Sequence, residues 1–369
     1  MALVSRTQDP VLSNSLFITK NLPSLEFENA LSEDEKQLLH LRNNSHAILV
    51  TQCALATAIV NILNAAKRYI SEHLMSQKDL ETDKRNSVTG NGPNVGIIGC
   101  GQLGSQISNC LLTIGQVEAK NLHISTRRPE SLDHLSQKGV QCYYDNKRLI
   151  SSVDVVILCV LPSQVSVVAQ EIKDAISPSL VILCPFSSFS LHRLHKILGS
   201  DNLIPFGIQR SDVAVNSNYN YNVGVVKALE SRNIVLGTCP IGVVKEGSMV
   251  HTDERVAESL ILAVANVCTV HGCSIDQTLD IISKSVFGEN EKNKAQNTNL
   301  LTSKEFGFNP TMGSHSRAFP HFNLVDSYSK GTLLQKHLQT NQAIQKSFAT
   351  RYCHIFDDYI YKRTFGHLQ

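Results

Sequence analysis

Three glycines at a fixed spacing, Gly99, Gly101 and Gly104, form the pattern with the clearest chemical meaning in this chain. They follow a short apolar run, 95–98, and precede an amphipathic stretch, which predicts a strand that turns directly into a helix. In such a turn the first glycine permits the bend, the second lets the backbone approach an anion, and the third lets the helix pack on the strand. Because the helix dipole also faces the anion, we predict a pyrophosphate site, with a chance glycine turn as the alternative. The predicted contacts are Gly99, Gly101, Gln102, Leu103 and Gly104.

The end of the second predicted strand, 122–125, bears on which dinucleotide binds. A site that prefers NAD places Asp or Glu here to accept a hydrogen bond from the ribose 2′-OH. In this chain the strand is followed by Thr126, Arg127 and Arg128, with no acidic residue. A guanidinium can donate two charge-assisted hydrogen bonds to a 2′-phosphate, which a carboxylate would repel. The pattern therefore favours NADP over NAD; the alternative is that these arginines are solvated turn residues.

Two further loops should reach the same ligand, because ligands of open parallel sheets lie beyond the carboxyl ends of the strands. After the fourth predicted strand we assign Val160, Leu161 and Pro162 to the cofactor site. After the fifth, Ser187 and Ser188 either donate hydrogen bonds to a substrate or to the nicotinamide amide, or are plain loop residues. Since no Ser/Tyr/Lys or His/Asp set has a mechanistic spacing, the catalytic residues stay unknown. No metal site is predicted.

The composition of the chain bounds the classes of protein that it can belong to. Its 369 residues are enough for two domains, or for one domain with extensions. A net charge of +2 without a concentrated basic stripe argues against nucleic-acid binding. Ten scattered cysteines without a Cys-x-x-Cys pair favour a reducing compartment, and we expect the cytoplasm.

The amino-terminal 1–90 is predicted to be a helical extension and linker. Ser32 and Glu35 have the spacing of a capping box, and helical periodicity then continues to about residue 74, with a break expected near 43–45. The apolar run 48–63 is interrupted by polar residues and falls short of a membrane span, so we expect no membrane association. The extension should pack on the main domain; a membrane-binding or partner-binding helix is the alternative. Residues 81–92 are typical of a linker.

Alternating strands and helices follow, and they predict an α/β fold with a doubly wound, Rossmann-type parallel sheet over 91–245. The predicted strands are 95–98, 122–125, 140–144, 153–160, 180–184 and 202–206, and the predicted helices are 105–114, 129–138, 162–176 and 191–198.

The pattern is weaker after residue 211. Residues 223–228 and 234–237 could add strands or a helix–strand pair. A helical carboxyl-terminal region, 246–369, is predicted to contain one helix from Thr252 to near Gly272, a second that a Ser274–Gln277 capping box opens, a long polar loop and a last helix over 331–365.

Several of these motifs together resemble one known family. The run Asn94-Val-Gly-Ile-Ile-Gly-Cys-Gly-Gln-Leu-Gly, the strand end Ser-Thr-Arg-Arg and the segment from Asp154 to Gln164 are similar to the amino-terminal domain of pyrroline-5-carboxylate reductases. The resemblance covers about residues 94–210. It implies NADP binding by this domain, and a homodimer through carboxyl-terminal helices, of which 252–290 could be the remnant.

The chain also departs from that family. Leu161 stands where such reductases carry lysine, and the serine–glycine and threonine-rich segments that hold their substrate are not found. The sequence therefore predicts an NADP-dependent oxidoreductase that transfers hydride to or from an unidentified small substrate. The alternatives are a non-catalytic NADP(H)-binding sensor and an interaction protein that has lost the reductase chemistry.

Overall fold

The computed structural model describes residues 31–37, 39–78, 92–210, 223–242, 250–288, 300–308 and 317–365. Most of the predicted linker 81–92 and nearly all of the amino-terminal residues 1–31 lie outside these ranges. The predicted domain boundaries, near residues 90 and 245, stay a prediction.

A six-stranded parallel sheet is the centre of the molecule, in the order β3-β2-β1-β4-β5-β6. This order, which reverses between β1 and β4, defines the doubly wound dinucleotide-binding fold and confirms the predicted fold class. β1, β4 and β5 are buried along their whole length, which is why they read as unbroken apolar runs. The strands are β1 Val95–Ile98, β2 Leu122–Ser125, β3 Gln141–Tyr143, β4 Val155–Leu158, β5 Val181–Cys184 and β6 Leu203–Pro205.

Helices cover both faces of this sheet, and alternate side chains of each strand divide between them. Ile97, Ile157 and Leu183 belong to the core that the amino- and carboxyl-terminal helices share. Ile98, Leu158 and Ile182 belong to the core on the other face, with α6 and α7. Up to residue 198 the helices are α1 Glu33–Gln37, α2 Leu39–Lys78, α3 Gln102–Thr113, α4 Asp133–Ser136, α5 Asn146–Ile150, α6 Pro162–Ile172 and α7 Leu191–Leu198, with 3₁₀ turns at Ala119–Asn121, Pro129–Leu132 and Lys173–Ala175.

The expected break near residues 43–45 is wrong, because α2 is one continuous helix of 40 residues. Asn43 and Asn44 are buried, so tertiary packing outweighs their low helix propensity. Ser45 adapts to the helix interior by donating from Oγ to the carbonyl of Leu41 at 2.8 Å. The capping box before α1 is confirmed: Ser32 and Glu35 exchange hydrogen bonds in both directions.

Helix α2 also has the length and composition of a membrane span over Leu41–His73, with a mean hydropathy of 1.7 in its most apolar window. Within that window 72% of the residues are buried inside the protein. Helix α2 packs against α3 and against the later helices Arg255–Val270 and Ile275–Val286, so these apolar residues are core residues of the fold.

The carboxyl-terminal part is helical, as predicted, but its details differ. Residues 225–238 form two helices and no strand, because helical spacing places Val235 and Thr238 on one buried face. On that face Thr238 Oγ1 lies 2.9 Å from Tyr352 Oη. A short antiparallel pair, β7 Ile208–Arg210 and β8 Val250–Thr252, was not predicted; it places Thr252 in a strand. The remaining helices are α8 Val225–Ala228, α9 Arg232–Thr238, α10 Arg255–Val270, α11 Ile275–Val286, α12 Leu324–Ser329, α13 Leu333–Thr340 and α14 Gln342–Phe365.

Two side-chain caps explain where these helices begin. The predicted Ser274–Gln277 capping box is present at the start of α11. The single helix expected over 331–365 is divided, because Asn341 Oδ1 accepts from the backbone N–H groups of Ala343 and Ile344 and so starts α14 anew.

Candidate functional site: a dinucleotide cavity

The glycine turn between β1 and α3 has the backbone geometry that its sequence predicts. Gly99 has a φ of +90°, and a Cβ placed there would lie 2.8 Å from the carbonyl oxygen of Cys159. A Cβ at Gly104 would lie 2.2 Å from the carbonyl oxygen of Gly99, because the helix packs directly on the strand end. These two glycines are required by the fold itself.

Gly101 is different, since a Cβ built on it would meet no described atom within 4 Å. No steric reason within the described structure explains a glycine here. The open space beside its backbone is what a pyrophosphate needs in order to approach the N–H groups of the turn. The residues present therefore fit a bound dinucleotide.

The amino terminus of α3 adds a favourable electrostatic environment to this space. Gly101 is the N-cap residue and supplies no side-chain hydrogen bond, and the first turn contains no acidic residue. The first N–H groups of a helix have no partner within the helix, and the dipole places partial positive charge on them. The backbone of the turn alone could therefore bind an anion.

A cavity of about 1800 Å³ opens in front of this turn, along the carboxyl ends of the strands. Ten of the eleven residues predicted to bind cofactor line it. Gly104 does not line the cavity, because it is buried beneath the turn, where it serves helix packing. The lining residues of the predicted set are Gly99, Gly101, Gln102, Leu103, Thr126, Arg127, Arg128, Val160, Leu161 and Pro162.

Arg127 and Arg128 are exposed at the end of the cavity where β2 stops. Two hydrogen bonds tie this strand end to β3 and to the residue after it: Thr126 N–H donates to Tyr143 O, and Ser125 Oγ donates to Tyr144 O, each at 3.1 Å. Within the described ranges neither guanidinium has a hydrogen bond or an ion pair. Both are thus available to an anion on a fixed backbone.

The segment after β3 supplies lining residues that sequence reasoning missed. Lys147 adds a third cation to this end of the cavity, and Tyr144 presents an aromatic ring that is 70% exposed. Arg148, the next residue, is turned away: its guanidinium lies 4.8 Å from the centroid of the Tyr143 ring, and it does not line the cavity. Asp145 Oδ1 caps this short helix by accepting from the N–H of Arg148. Lys147 could have been predicted to line the cavity, because it comes soon after a predicted parallel strand.

The loops after β4 and β5 line the cavity as expected. Leu161 precedes α6 with 65% of its surface exposed, and Pro162 is the first residue of that helix. Ser187 and Ser188 lie in the lining together with Pro185. The catalytic residues remain unassigned.

The two cysteines of the lining are not nucleophiles. Burial raises the pKa of the Cys100 thiol to about 11 and raises that of Cys159 further. Both thiols are therefore protonated at neutral pH and behave as small apolar groups. His192, His195 and His251 lie outside the described lining, so they supply no base to it.

One wall of the cavity comes from α2, which sequence analysis did not connect with the site. The lining residues of this helix are Arg42, Ser45, His46, Leu49 and Gln52. Gln52 Nε2 donates to Pro185 O at 2.7 Å, and His46 Nε2 lies 2.8 Å from Val223 O. Burial lowers the pKa of His46, so the ring is neutral at pH 7. The sequence indicates this wall through polar residues that recur at helical spacing in an otherwise apolar helix.

Strand order, glycine turn and cavity together define a protein of the dinucleotide-binding class. Residues 94–184 match the family model described as NADP oxidoreductase, coenzyme F420-dependent. Over 351 residues the chain is 30% identical to the mouse NADP-dependent oxidoreductase domain-containing protein 1, a match that covers 91% of this chain and 93% of the mouse protein. The chain belongs to the family of NADP-dependent oxidoreductase domain-containing proteins.

A more distant relative in sequence confirms the resemblance to pyrroline-5-carboxylate reductases. The enzyme of Aquifex aeolicus is 25% identical over 278 residues, which cover 68% of this chain and 96% of that protein. Among solved structures, a pyrroline-5-carboxylate reductase from Coxiella burnetii matches with 14% identity, 72% coverage of this chain, 98% coverage of that chain and a TM-score of 0.29.

Proposed function

We propose that this protein binds NADP(H) in the cavity and transfers hydride between it and a small organic substrate. The observation that carries the proposal is the pairing of an open Gly101 backbone with two exposed arginines at the end of β2. The first supports a pyrophosphate, and the second supports a 2′-phosphate where an NAD site would need a carboxylate.

Each part of the chain has a defined task in this proposal. The N–H groups at the start of α3 hold the pyrophosphate, and Arg127 and Arg128 hold the 2′-phosphate. Val160, Leu161 and Pro162 follow β4 and direct the bound molecule towards the loop of Ser187 and Ser188. The nicotinamide supplies the hydride chemistry when bound, while the protein supplies position and electrostatics.

The test of catalysis is NADPH consumption by the purified protein with a panel of cyclic imines, aldehydes and ketones. We expect steady turnover with at least one class of compound, and none with the Gly101→Asp variant. If NADPH binds tightly but no class of compound gives turnover, the oxidoreductase part of the proposal is wrong.

The second candidate function is a non-catalytic NADP(H) sensor, and one observation favours it. Leu161 projects into the cavity with 65% of its surface exposed, where the reductases that this chain resembles carry a lysine. An apolar side chain there cannot hold an anionic substrate or move a proton. Tight NADPH binding without turnover on the same panel is the outcome that supports the sensor.

Two further expectations belong to the proposal. Ten free thiols support a reducing compartment, and we place the protein in the cytoplasm. We also propose a homodimer through the carboxyl-terminal helices, which sedimentation analysis of the full chain tests directly.

A further inference from the structure

The amino-terminal part of α2 carries polar residues in a place where the helix is otherwise buried. Arg42, Ser45, His46, Leu49 and Gln52 are spaced by three or four residues, so they lie on one face of the helix. The opposite face, with Ala54, Leu55 and Ala58, lies in the core. The whole stripe lines the dinucleotide cavity, and this explains why four of its five residues are polar.

One hydrogen bond holds this face beside the loop that follows β5. The Gln52 amide donates to the carbonyl oxygen of Pro185, two residues before Ser187. In the sheet, β5 is separated from β2 by β1 and β4, which makes three strand spacings or about 14 Å. The helix face thus meets the cavity at the β5 end, away from the arginines that follow β2.

The charges of the lining differ between these two places. Among the described residues the lining carboxylates are Asp145, after β3, and Glu171, on α6. The α2 face contributes a guanidinium, an imidazole, a hydroxyl and an amide, and no acid. Such a set is polar and carries no negative charge, which suits the amide and hydroxyl groups of a nicotinamide riboside.

We propose that this α2 face, Arg42 to Gln52, is the binding surface for the nicotinamide riboside half of the dinucleotide, supplied in cis by the same chain. The inference rests on the proposed NADP(H) site and adds an element outside the glycine-turn motifs. Gln52 is a positioning residue, because it acts by holding the Pro185–Ser188 loop. Arg42, Ser45 and His46 face the ligand.

The experiment compares two ligands by calorimetry: NADPH, and 2′,5′-ADP, which has the adenine and 2′-phosphate but no nicotinamide. For Arg42→Ala and Gln52→Leu we expect NADPH binding to weaken by about fivefold or more, with binding of 2′,5′-ADP unchanged. The matched control is Arg68→Ala, an exposed arginine of the same helix outside the cavity, which should change neither affinity.

The outcomes separate this inference from the proposed function. Equal losses for both ligands, or no loss for either, would overturn the role of the α2 face while leaving the NADP(H) site in place. If the unaltered protein binds neither NADPH nor 2′,5′-ADP, the proposed function itself fails. Because Arg42 is exposed, its variant tests the inference even if Gln52→Leu unfolds the protein.

Discussion

The two ends of the cavity are built differently. At the glycine turn the ligand would meet main-chain N–H groups, and the geometry is set by three glycines within six residues. At the other end the wall is a helix whose lining residues lie about 50 positions earlier in the chain and reach the cavity only through tertiary packing. The first kind of site can be recognised in a sequence because its determinants are local. The second kind becomes visible only in the folded chain.

The largest effect should come from placing a carboxylate in the turn. Gly101→Asp should abolish dinucleotide binding, because a negative charge about 4 Å from a phosphate near a protein surface costs about 4 kcal/mol. The fold should persist, since nothing described lies within 4 Å of the new Cβ. Calorimetry for affinity and thermal unfolding for stability check both parts. Unchanged NADPH affinity would remove the pyrophosphate site.

Replacing both arginines after β2 should separate the two cofactors. Arg127→Ala with Arg128→Ala should weaken NADPH binding by roughly 1.5 to 3 kcal/mol per lost charged hydrogen bond, and NADH binding far less. Parallel titrations with NADPH and NADH measure the difference. Equal losses for the two cofactors would mean that these arginines do not bind the 2′-phosphate.

Gly104→Ala tests the part of the turn that serves the fold. A methyl group 2.2 Å from the Gly99 carbonyl oxygen must displace the helix, at a cost of about 1 to 3 kcal/mol in the free energy of unfolding. Urea unfolding measures it, with Gly101→Ala as the control of identical chemistry. Similar stability of the two variants would show that Gly104 does not serve packing.

Lys147 should contribute less than the two arginines. Lys147→Ala should weaken NADPH binding by about 1 kcal/mol, as is usual for one exposed charge, and spare NADH. Arg148→Ala is the matched control, because this cation stacks on Tyr143 and does not line the cavity. If Arg148→Ala lost NADPH affinity and Lys147→Ala did not, Arg148 and not Lys147 would face the ligand.

The smallest expected effect concerns the helix wall and its pH dependence. Since the folded state lowers the pKa of His46, the unfolded chain binds a proton there while the folded protein does not. Stability from this residue is therefore complete above the ordinary pKa of 6.5, and is lost as pH falls from there to the lowered folded-state value. As pH falls across this range, the unaltered protein should lose stability relative to His46→Phe, and denaturant midpoints of the two proteins measure this change. If the midpoints of the two proteins changed with pH in parallel, His46 would make no contribution to the pH dependence of stability.

These contrasts also explain what could be predicted from the sequence. All six strands of the sheet were predicted. For β1, β4 and β5 the reason is that a strand buried on both faces leaves an unbroken apolar run, as in Val155–Leu158. The lining residues of the glycine turn were predicted because the spacing of its three glycines is also a local pattern. The continuity of α2 was missed, because Asn43 and Asn44 oppose a helix locally and only their burial overrides it.

The side-chain wall could not be predicted, because nothing near Gln52 in the sequence indicates that its amide reaches Pro185, which is 133 positions away. The pair β7–β8 was missed for a similar reason: each strand has three residues, and their pairing depends on a contact between Gln209 and His251 that is distant in sequence.

The continuity of α2 has a mechanical consequence. With 40 residues at 1.5 Å each the helix is a rod about 60 Å long, and most of its middle is embedded in the core. A wall that is part of such a rod has no hinge of its own, so its amides should exchange with solvent only when the core opens. Ligands would then enter and leave the cavity past a wall that stays in place.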